Sequence, residues 1–282
     1  MLDFHRQNMI GSSSNFGDGK PLIALTIAGF DPSSGAGVTA DLKVFAAHGL
    51  YGVSAVTALT VQSTQGVRRV DAVSPEVLAE TLACLAEDLE ISGLKIGMLA
   101  TAANVDAVGN FLGRSGIPPE RVVLDPVLKS SSGKELLSAE GVSRLRENLL
   151  HRVGWITPNA EELAVLAGVP VRTRDEVEMA AGRLAASYPD LNLVVTGGHF
   201  DPPDDYLLLA NGKSQWFPGH RIQTTATHGT GCAFSSALLI RLLAGDAAAQ
   251  AVREAKAYVA GAMAAAQRVG KGRGPLNHFF RA

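Results

Sequence analysis

Short apolar runs alternate with helical patterns along most of the chain, beginning at Pro21. The first run, 22–28, is continuously apolar, which is typical of a strand buried on both faces. Further strands are predicted at 53–61, 94–99, 122–125, 155–157 and 193–196. Helices are predicted between them, at 38–47, 75–89, 102–112, 138–150, 160–167 and 173–187. This alternation predicts an α/β fold with a mostly parallel central sheet and helices on both faces.

The last third of the sequence has a different pattern. Residues 206–210 and 215–217 flank an Asn-Gly pair, which predicts a small β-hairpin within about 205–217. Two long helices are predicted to close the chain, at 231–243 and 247–269. Residues 1–20 are polar and rich in Gly, Ser and Asn, so we expect a disordered tail there. No linker or repeat interrupts the rest, which predicts a single domain over 21–282.

Composition narrows the classes of function. Of 282 residues, 46% are hydrophobic, which is enough for a sizeable core. The net charge is −2, so we expect neither nucleic-acid binding nor membrane binding driven by bulk charge. No apolar run reaches the roughly 18 residues of a membrane helix, and the first residues lack the pattern of a signal peptide. Two cysteines favour a reducing compartment, so the expected location is the cytoplasm.

The segment Ala28-Gly-Phe-Asp-Pro-Ser-Ser-Gly-Ala-Gly37 follows the first predicted strand and precedes a helix. Ligands of open parallel sheets bind where loops leave the carboxyl ends of strands, and glycines allow a close backbone approach. An ordinary strand-to-helix turn explains the same composition equally well. The segment is not a P-loop, because no Gly-Lys-Ser/Thr ends it.

A second segment, His228-Gly229-Thr230-Gly231-Cys232, precedes a long apolar helix. Unpaired N–H groups and the helix dipole make such a start an anion site. In that first turn we expect the pKa of the Cys232 thiol to fall, so that the thiolate accepts a proton from a substrate hydroxyl. The alternative is a buried small residue at a helix start, a common place for a free cysteine.

Five further residues carry side-chain oxygens at or near predicted strand ends and helix starts. Asn159 and Glu162 share one face of a first helical turn, and their oxygens suit Mg²⁺. The same pair is equally typical of an Asn cap with a favourable Glu. Asp125 ends a predicted strand. Gln62 follows another strand, and Asp41 lies one turn after Gly37; taken alone, each of these residues is typical of a cap or a solvated polar position.

Two expectations concern the place of Cys84 and the binding of zinc. Cys84 lies within an apolar helical stripe and is predicted to be a core residue. The histidines have no metal-ligand spacing, so no zinc site is predicted.

Together these segments resemble the ribokinase-like superfamily, and more narrowly the hydroxymethylpyrimidine and phosphomethylpyrimidine kinases of thiamine biosynthesis. The matching stretches run in family order from residue 22 to 280. They are ALTIAGFDPSSGAGVTADLKVFAAHGLYG, SAVTALTVQSTQGV, LKIGML, VVLDPV, SGKELL, ITPNAEEL, GGH, THGTGCAFSSAL and KGRGPLNHF.

The resemblance implies phosphorylation of 4-amino-5-hydroxymethyl-2-methylpyrimidine and of its monophosphate, with ATP as co-substrate, Mg²⁺ as the ion and a homodimer as the assembly. It implies pyrimidine binding by Gln62, with Asp41 near the same pocket. It also implies that Cys232 occupies the position of the catalytic base. The implied anion hole consists of Gly229, Thr230 and Gly231. The implied magnesium and phosphate positions are Asn159, Glu162 and Asp125.

The chain departs from the family pattern at several positions where a lysine is usual. Thr196 stands before the Gly-Gly-His, Thr225 stands before the anion hole, and Ser131 stands before the Ser-Gly. Lys129 lies two residues earlier than Ser131, and Phe30 replaces a usual Ser or Thr. These changes leave fewer cations to face the triphosphate.

Two alternatives to a pyrimidine kinase stay open. Pyridoxal kinases phosphorylate the same kind of hydroxymethyl group on a six-membered heteroaromatic ring. A non-catalytic pyrimidine-binding protein would account for the missing lysines.

Overall fold

The computed structural model of the chain describes residues 21–130, 132–198 and 200–281. The predicted tail, 1–20, lies outside these ranges. The strands are β1 Ile23–Phe30, β2 Tyr51–Ser63, β3 Gly66–Ala72, β4 Ile91–Ile96, β5 Val122–Leu124, β6 Trp155–Ile156, β7 Asn192–Val195, β8 Asp205–Leu208 and β9 Ser214–Phe217. The helices are α1 Gly37–Ala47, α2 Pro75–Asp88, α3 Ala102–Ser115, α4 Ala139–Arg144, α5 Ala160–Ala167, α6 Arg174–Ser187, α7 Thr230–Leu243 and α8 Ala248–Ala264.

All nine strands form one sheet, in the order β3-β2-β1-β4-β5-β6-β7-β8-β9. The pairs from β2 across to β7 are parallel, and the pairs at both ends of the sheet are antiparallel. The chain runs from β1 to one side and returns to β4 on the other side. The strand order therefore reverses beside β1, which is the position at which open α/β sheets bind ligands.

Apolar side chains fill the space on both faces of the sheet. On one face α2, α3, α5 and α6 pack against strand residues such as Leu25 and Ile96. On the other face α1, α7 and α8 cover residues such as Ala24 and Val123. Neighbouring residues of one strand thus point into different halves of the core, which explains why the central strands read as continuous apolar runs. The predicted α/β class and sheet type are confirmed.

Helix starts follow the chemistry of their first residues. Ser74 caps α2 by accepting a hydrogen bond from the Val77 N–H, and Pro75 occupies the first turn as predicted. Thr173 and Glu176 form a reciprocal capping box at the start of α6. These local signals explain why the predicted starts of both helices agree with the structure.

The structure corrects three predictions and adds one strand. Strand β3 was not predicted, because its sequence is charged and its residues are largely exposed. The helix predicted at 138–150 is α4 followed by a π turn, Leu145–Leu149. Helix α8 ends at Ala264, because the Asn277 N–H donates to the Ala262 carbonyl and the C-terminal segment covers the helix end. Cys84 is exposed rather than in the core, since it lies off the stripe of buried leucines.

No helix in the described part of the chain has the length and apolar character needed to cross a membrane.

Candidate active site

The carboxyl ends of the parallel strands meet at one edge of the sheet. The loop after β1 and the loop before α7 both lie at this edge. Residues from both sides of the strand reversal therefore come together: Gln62 ends β2, Asp125 follows β5 and Asn159 follows β6. The structure thus brings the candidate segments of the sequence together at one edge of the sheet.

The two glycine-rich loops are in direct contact. Gly229 has a φ of +84°, and a Cβ placed on it would lie 1.9 Å from the Gly35 carbonyl oxygen. A Cβ on Gly35 would in turn lie 2.3 Å from the His228 ring. Only glycine fits at these two positions, because one needs a left-handed backbone and both need the absence of a side chain. The glycines that the sequence offered as turn residues thus allow the two loops to touch.

Asp31 organises the first loop. One carboxylate oxygen accepts hydrogen bonds from the Ser33 N–H at 2.8 Å and the Ser33 hydroxyl at 2.7 Å. The other accepts from the N–H groups of Gly35 and Ala36. Burial tends to raise the pKa of Asp31, but the bonds from His228 and Ser33 outweigh it and hold that pKa below its usual range. The loop is therefore built around an ionised carboxylate.

His228 links the two loops to the end of β2. Its Nε2 lies 2.7 Å from the Asp31 carboxylate and 3.1 Å from the Gln62 side-chain amide. The Nε2 hydrogen goes to Asp31, because a carboxylate can only accept. His228 is buried, whereas Gln62 is partly exposed. The Gln62 amide thus stands at the loop junction with a side open to a ligand.

The first turn of α7 supplies unpaired backbone donors. Gly229 precedes the helix, and the first N–H that bonds within it belongs to Ala233, which donates to the Gly229 carbonyl. The N–H groups of Thr230, Gly231 and Cys232 come earlier, where a helix has no acceptor for them. Together with the helix dipole they form a place for an anion. These donors lie where the sequence predicts an anion hole, and that role stays a prediction.

Cys232 differs from its prediction in one respect. Its thiol lies between the Gly37 N–H and the Asp125 carboxylate, and it interacts with both. Burial raises the pKa of the Cys232 thiol to about 12, and the nearby Lys95 ammonium offsets only part of that rise. The predicted fall of this pKa at a helix start is wrong, because loss of solvation outweighs the helix dipole. At neutral pH the thiol is therefore protonated, with the Asp125 carboxylate as a neighbour.

A buried polar cluster lies beneath this turn. Lys95 and Asp41 are both 0% exposed and form an ion pair of 2.9 Å. Asp41 also accepts from the hydroxyls of Thr26 and Ser236. Asp41 is thus buried rather than a solvated polar residue, and its place near the substrate pocket stays a prediction.

Asp125 forms the upper part of the same cluster. Its carboxylate lies 4.0 Å from the Lys95 ammonium and 3.7 Å from the place a Cβ of Gly231 would take. Burial raises the pKa of Asp125 to about 6, although Lys95 acts in the opposite direction. Asp125 therefore lies directly under the anion hole, with its pKa close to neutrality.

Asn159 and Glu162 form a capping box at the start of α5. The Asn159 side chain accepts from the Glu162 N–H at 3.0 Å, and the Glu162 carboxylate accepts from the Asn159 N–H at 2.9 Å. Burial, reinforced by the Asp125 carboxylate, raises the pKa of Glu162 to about 8. The Asn159 cap with its favourable Glu, one of the two interpretations of the sequence, is thus present. It holds Glu162 near the Asp125 carboxylate.

The residues present fit a magnesium ion with few protein ligands. Asp125 and Glu162 are both buried, and the Asp125 carboxylate helps to raise the pKa of Glu162, so a cation is favourable beside them. Among the described residues, no three His, Cys, Asp or Glu side chains are grouped to hold a metal. Mg²⁺ at kinase sites commonly takes only one or two carboxylates, with water and phosphate completing its shell.

The positions that lack the usual lysine have different surroundings. Thr196 pairs with Asn159 in an isolated parallel bridge, so it lies beside the capping box. Thr225 is exposed and its carbonyl accepts from the Gly274 N–H. Lys129 is exposed, and its backbone forms an isolated antiparallel bridge with Glu135. Lys129 therefore does not take the place of the missing lysine, which would have to turn inward. Ser131 lies outside the described residues.

Sequence reasoning missed three residues of this site. Asp31 and His228 lay inside the quoted loops but were assigned no role. Lys95 was overlooked in an apolar strand. Its signal was present, because a lysine in a strand covered on both faces must be buried, and a buried lysine requires a partner.

Solved structures with known ligands share this fold. The chain is similar to a pyridoxal kinase from Bacillus subtilis in an ADP complex, with a TM-score of 0.82, 28% identity, and coverage of 92% of this chain and 98% of the other. It is similar to a Staphylococcus aureus pyridoxal kinase in complex with AMP-PCP and pyridoxal, with a TM-score of 0.83, 25% identity, and coverage of 93% and 95%. The chain therefore shares the ribokinase-like fold of these small-molecule kinases.

Sequence comparison narrows this class to one family. The model of the family described as phosphomethylpyrimidine kinase matches residues 31–277. A hydroxymethylpyrimidine/phosphomethylpyrimidine kinase from Escherichia coli is 42% identical over 264 residues, 92% of this chain and 98% of its own length. One from Rhizobium meliloti is 40% identical over 263 residues, 92% of this chain and 97% of its own length. The chain belongs to the phosphomethylpyrimidine kinase family.

Proposed function

We propose that this kinase transfers the γ-phosphoryl group of ATP to 4-amino-5-hydroxymethyl-2-methylpyrimidine and then to its monophosphate. The observation that carries the proposal is the contact of the Gly35 loop with the Gly229 loop directly above Asp125. Phosphoryl transfer needs positioning and charge stabilisation more than covalent chemistry. The unpaired N–H groups of the first turn of α7 provide donors for the negative charge that develops.

Deprotonation of the substrate hydroxyl needs a route that agrees with a protonated Cys232. The thiol donates to Asp125, whose pKa of about 6 leaves it ionised at neutral pH. As the hydroxyl attacks phosphorus, its proton passes to the Cys232 sulfur and the thiol proton passes to Asp125. One proton leaves the substrate, one arrives at the carboxylate, and the thiol is restored. Cys232 thus acts as a relay and Asp125 as the final acceptor.

Gln62 fits the recognition of the ring. Its amide offers both a donor and an acceptor, as an aminopyrimidine edge requires. Its amide nitrogen lies 3.1 Å from the His228 ring and its amide oxygen accepts from the Thr60 hydroxyl at 3.2 Å, which places it at the junction of the two loops. The ring, read from this side, would place its hydroxymethyl group toward the first turn of α7.

Glu162 is the residue that would hold Mg²⁺, with Asn159 fixing its carboxylate through the capping box. Bound there, the ion would neutralise phosphate charge. With Thr196 beside Asn159 instead of a lysine, the site relies more heavily on that ion and on the backbone donors.

The proposed assembly is a homodimer in the cytoplasm. Support for the dimer comes from β2, where Leu59 and Val61 are 54% and 44% exposed at alternate positions of one strand. Support for a reducing compartment comes from the two free cysteines.

The test is an ADP-release assay with the pyrimidine, its monophosphate and pyridoxal as acceptors. Pyridoxal is the second candidate substrate, because the similar folds include a pyridoxal kinase with pyridoxal bound. We expect the highest kcat/KM with the pyrimidine. A higher value with pyridoxal would replace the proposed substrate, and pyrimidine binding without turnover would indicate a binding protein.

Gln62→Leu tests the recognition of the ring. The variant leaves the polar edge of the ring unpaired, so binding of the pyrimidine should weaken by about 1–3 kcal/mol. Gln215→Leu, at an exposed position of β9, is the matched control and should leave the Michaelis constants unchanged. If Gln62→Leu weakens ATP binding and spares the pyrimidine, Gln62 belongs to the nucleotide half of the site.

A further inference from the structure

Lys95 lies deeper than any other cation of the site. Its whole side chain is 0% exposed, and it comes from the fifth position of β4, beneath the first turn of α7. The ammonium touches Asp41 at 2.9 Å and lies 4.0 Å from Asp125. The buried Lys95 ammonium therefore interacts with two carboxylates, Asp41 on α1 and Asp125 after β5.

The two carboxylates differ in how well they are otherwise satisfied. Asp41 accepts from the Thr26 hydroxyl at 2.6 Å and the Ser236 hydroxyl at 2.9 Å, in addition to Lys95. Within the part of the chain that the structure describes, Asp125 has a single hydroxyl partner, Ser235, at the long distance of 3.4 Å. Among the described residues, Lys95 is the cation within salt-bridge distance of Asp125. Asp41 is thus an anchor for the ammonium, and Asp125 is the group that depends on it.

A buried pair of this kind needs a reason beyond stability. Removing two charges from water costs about as much as their attraction returns, and apolar replacements of buried pairs are often neutral or stabilising. The attraction of Asp41 outweighs the burial of Lys95 and raises its pKa, so the ammonium remains charged. The fold therefore holds a permanent positive charge beneath the anion hole.

We infer that Lys95 is a positioning residue for phosphoryl transfer: anchored by Asp41, its ammonium fixes the Asp125 carboxylate against the Cys232 thiol. The inference rests on the proposed function, because it assigns Asp125 the role of final proton acceptor. Lys95 itself touches no substrate, since it has no exposed surface. Lys95 acts through the Asp125 carboxylate, which lies next to Gly231.

The test separates this role from a purely structural one. Lys95→Met leaves Asp41 charged and unpaired in the core, so the variant should unfold at a lower urea concentration. In the double variant Lys95→Met/Asp41→Asn both charges are gone, and we expect the urea midpoint to return close to that of the wild type. We expect its kcat to stay about 10- to 100-fold below wild type, the range for partners that orient a reactive group, with KM for ATP within about threefold.

The control removes an ion pair at the carboxyl end of α7, the end away from Cys232. Arg241 and Asp246 lie 2.6 Å apart at the carboxyl end of α7, and Arg241→Met/Asp246→Asn should keep the wild-type kcat. A double variant at Lys95 that regains kcat together with stability would overturn the inference. If that double variant does not fold, Asp41→Asn alone loosens the anchor while Lys95 remains, and a wild-type kcat there would overturn it equally.

The acceptor used in the wild-type assay distinguishes this inference from the proposed function. If the wild type turns over pyridoxal and not the pyrimidine, the proposed substrate fails, and the Lys95 variants are compared on pyridoxal, whose hydroxymethyl group needs the same proton transfer. A drop in kcat there still supports the role of Lys95. A wild-type chain that releases no ADP with any acceptor overturns both.

Discussion

Replacing Gly229 by alanine tests whether the contact of the two loops sets the rate. The new Cβ would lie 1.9 Å from the Gly35 carbonyl oxygen, whereas real Cβ atoms essentially never come within 3.0 Å of another heavy atom. The loops must therefore separate by roughly 1 Å, a displacement that costs about 100-fold in rate when it misplaces reacting groups. The left-handed backbone adds about 1–2 kcal/mol of strain for a residue with a Cβ.

Gly245→Ala is the matched control, at the other end of α7. Gly245 has a φ of +85°, and its Cβ would meet nothing within 4 Å. The left-handed backbone should cost both variants about 1–2 kcal/mol of unfolding free energy in urea titrations, and the clash with Gly35 should make Gly229→Ala lose more than that. Only Gly229→Ala should lose kcat in the ADP-release assay. Equal kcat values in the two variants would refute the view that the contact positions the reacting groups.

Three further predictions concern single side chains. Cys232→Ala should lower kcat by about two to four orders of magnitude, and Cys232→Ser by less, because a hydroxyl can pass a proton to Asp125; equal losses would contradict the relay. Thr196→Lys should lower the Michaelis constant for ATP and flatten its dependence on Mg²⁺, and loss of all activity would mean that the pocket is shaped around Thr196. Burial lowers the pKa of His278 from 6.5 to about 4, so the unfolded chain takes up a proton before the folded chain does as the pH falls. Between pH 7 and pH 5 the wild type should therefore lose about 2 kcal/mol more unfolding free energy than His278→Leu, and parallel pH profiles in urea titrations would contradict this.

Most of the fold was predictable because its strands are covered on both faces. A strand such as β1 must then be apolar at every position, and a sequence shows this directly. Strand β3 escapes the pattern, since it pairs with β2 at the sheet edge and exposes Arg68 and Arg69. Its formation depends on the neighbour it pairs with, and a local pattern does not contain that information.

The site was predictable where backbone geometry decides, and less so where burial decides. The glycines of the first loop predicted a close approach of the backbone to a ligand, and the structure shows that glycines also let the two loops touch. The pKa of Cys232 could not be predicted from its place at a helix start, because the packing around Asp125 sets its solvation. Lys95 and Asp41 come from different elements, so no spacing in the sequence links them.

The contacts that join the two loops also tie distant parts of the chain together. Asp31 and His228 are 197 positions apart, and Gln62 and His228 are 166 apart. Contacts so distant in sequence cost more loop-closure entropy, so we expect them to form late during folding. A substrate held between the loops acts as a reversible cross-link between the first and the last parts of the chain, and it stabilises the folded state in proportion to its occupancy. Amide hydrogen exchange in the first turns of α1 and α7 should therefore slow together when substrate is added, although the two helices are far apart in sequence.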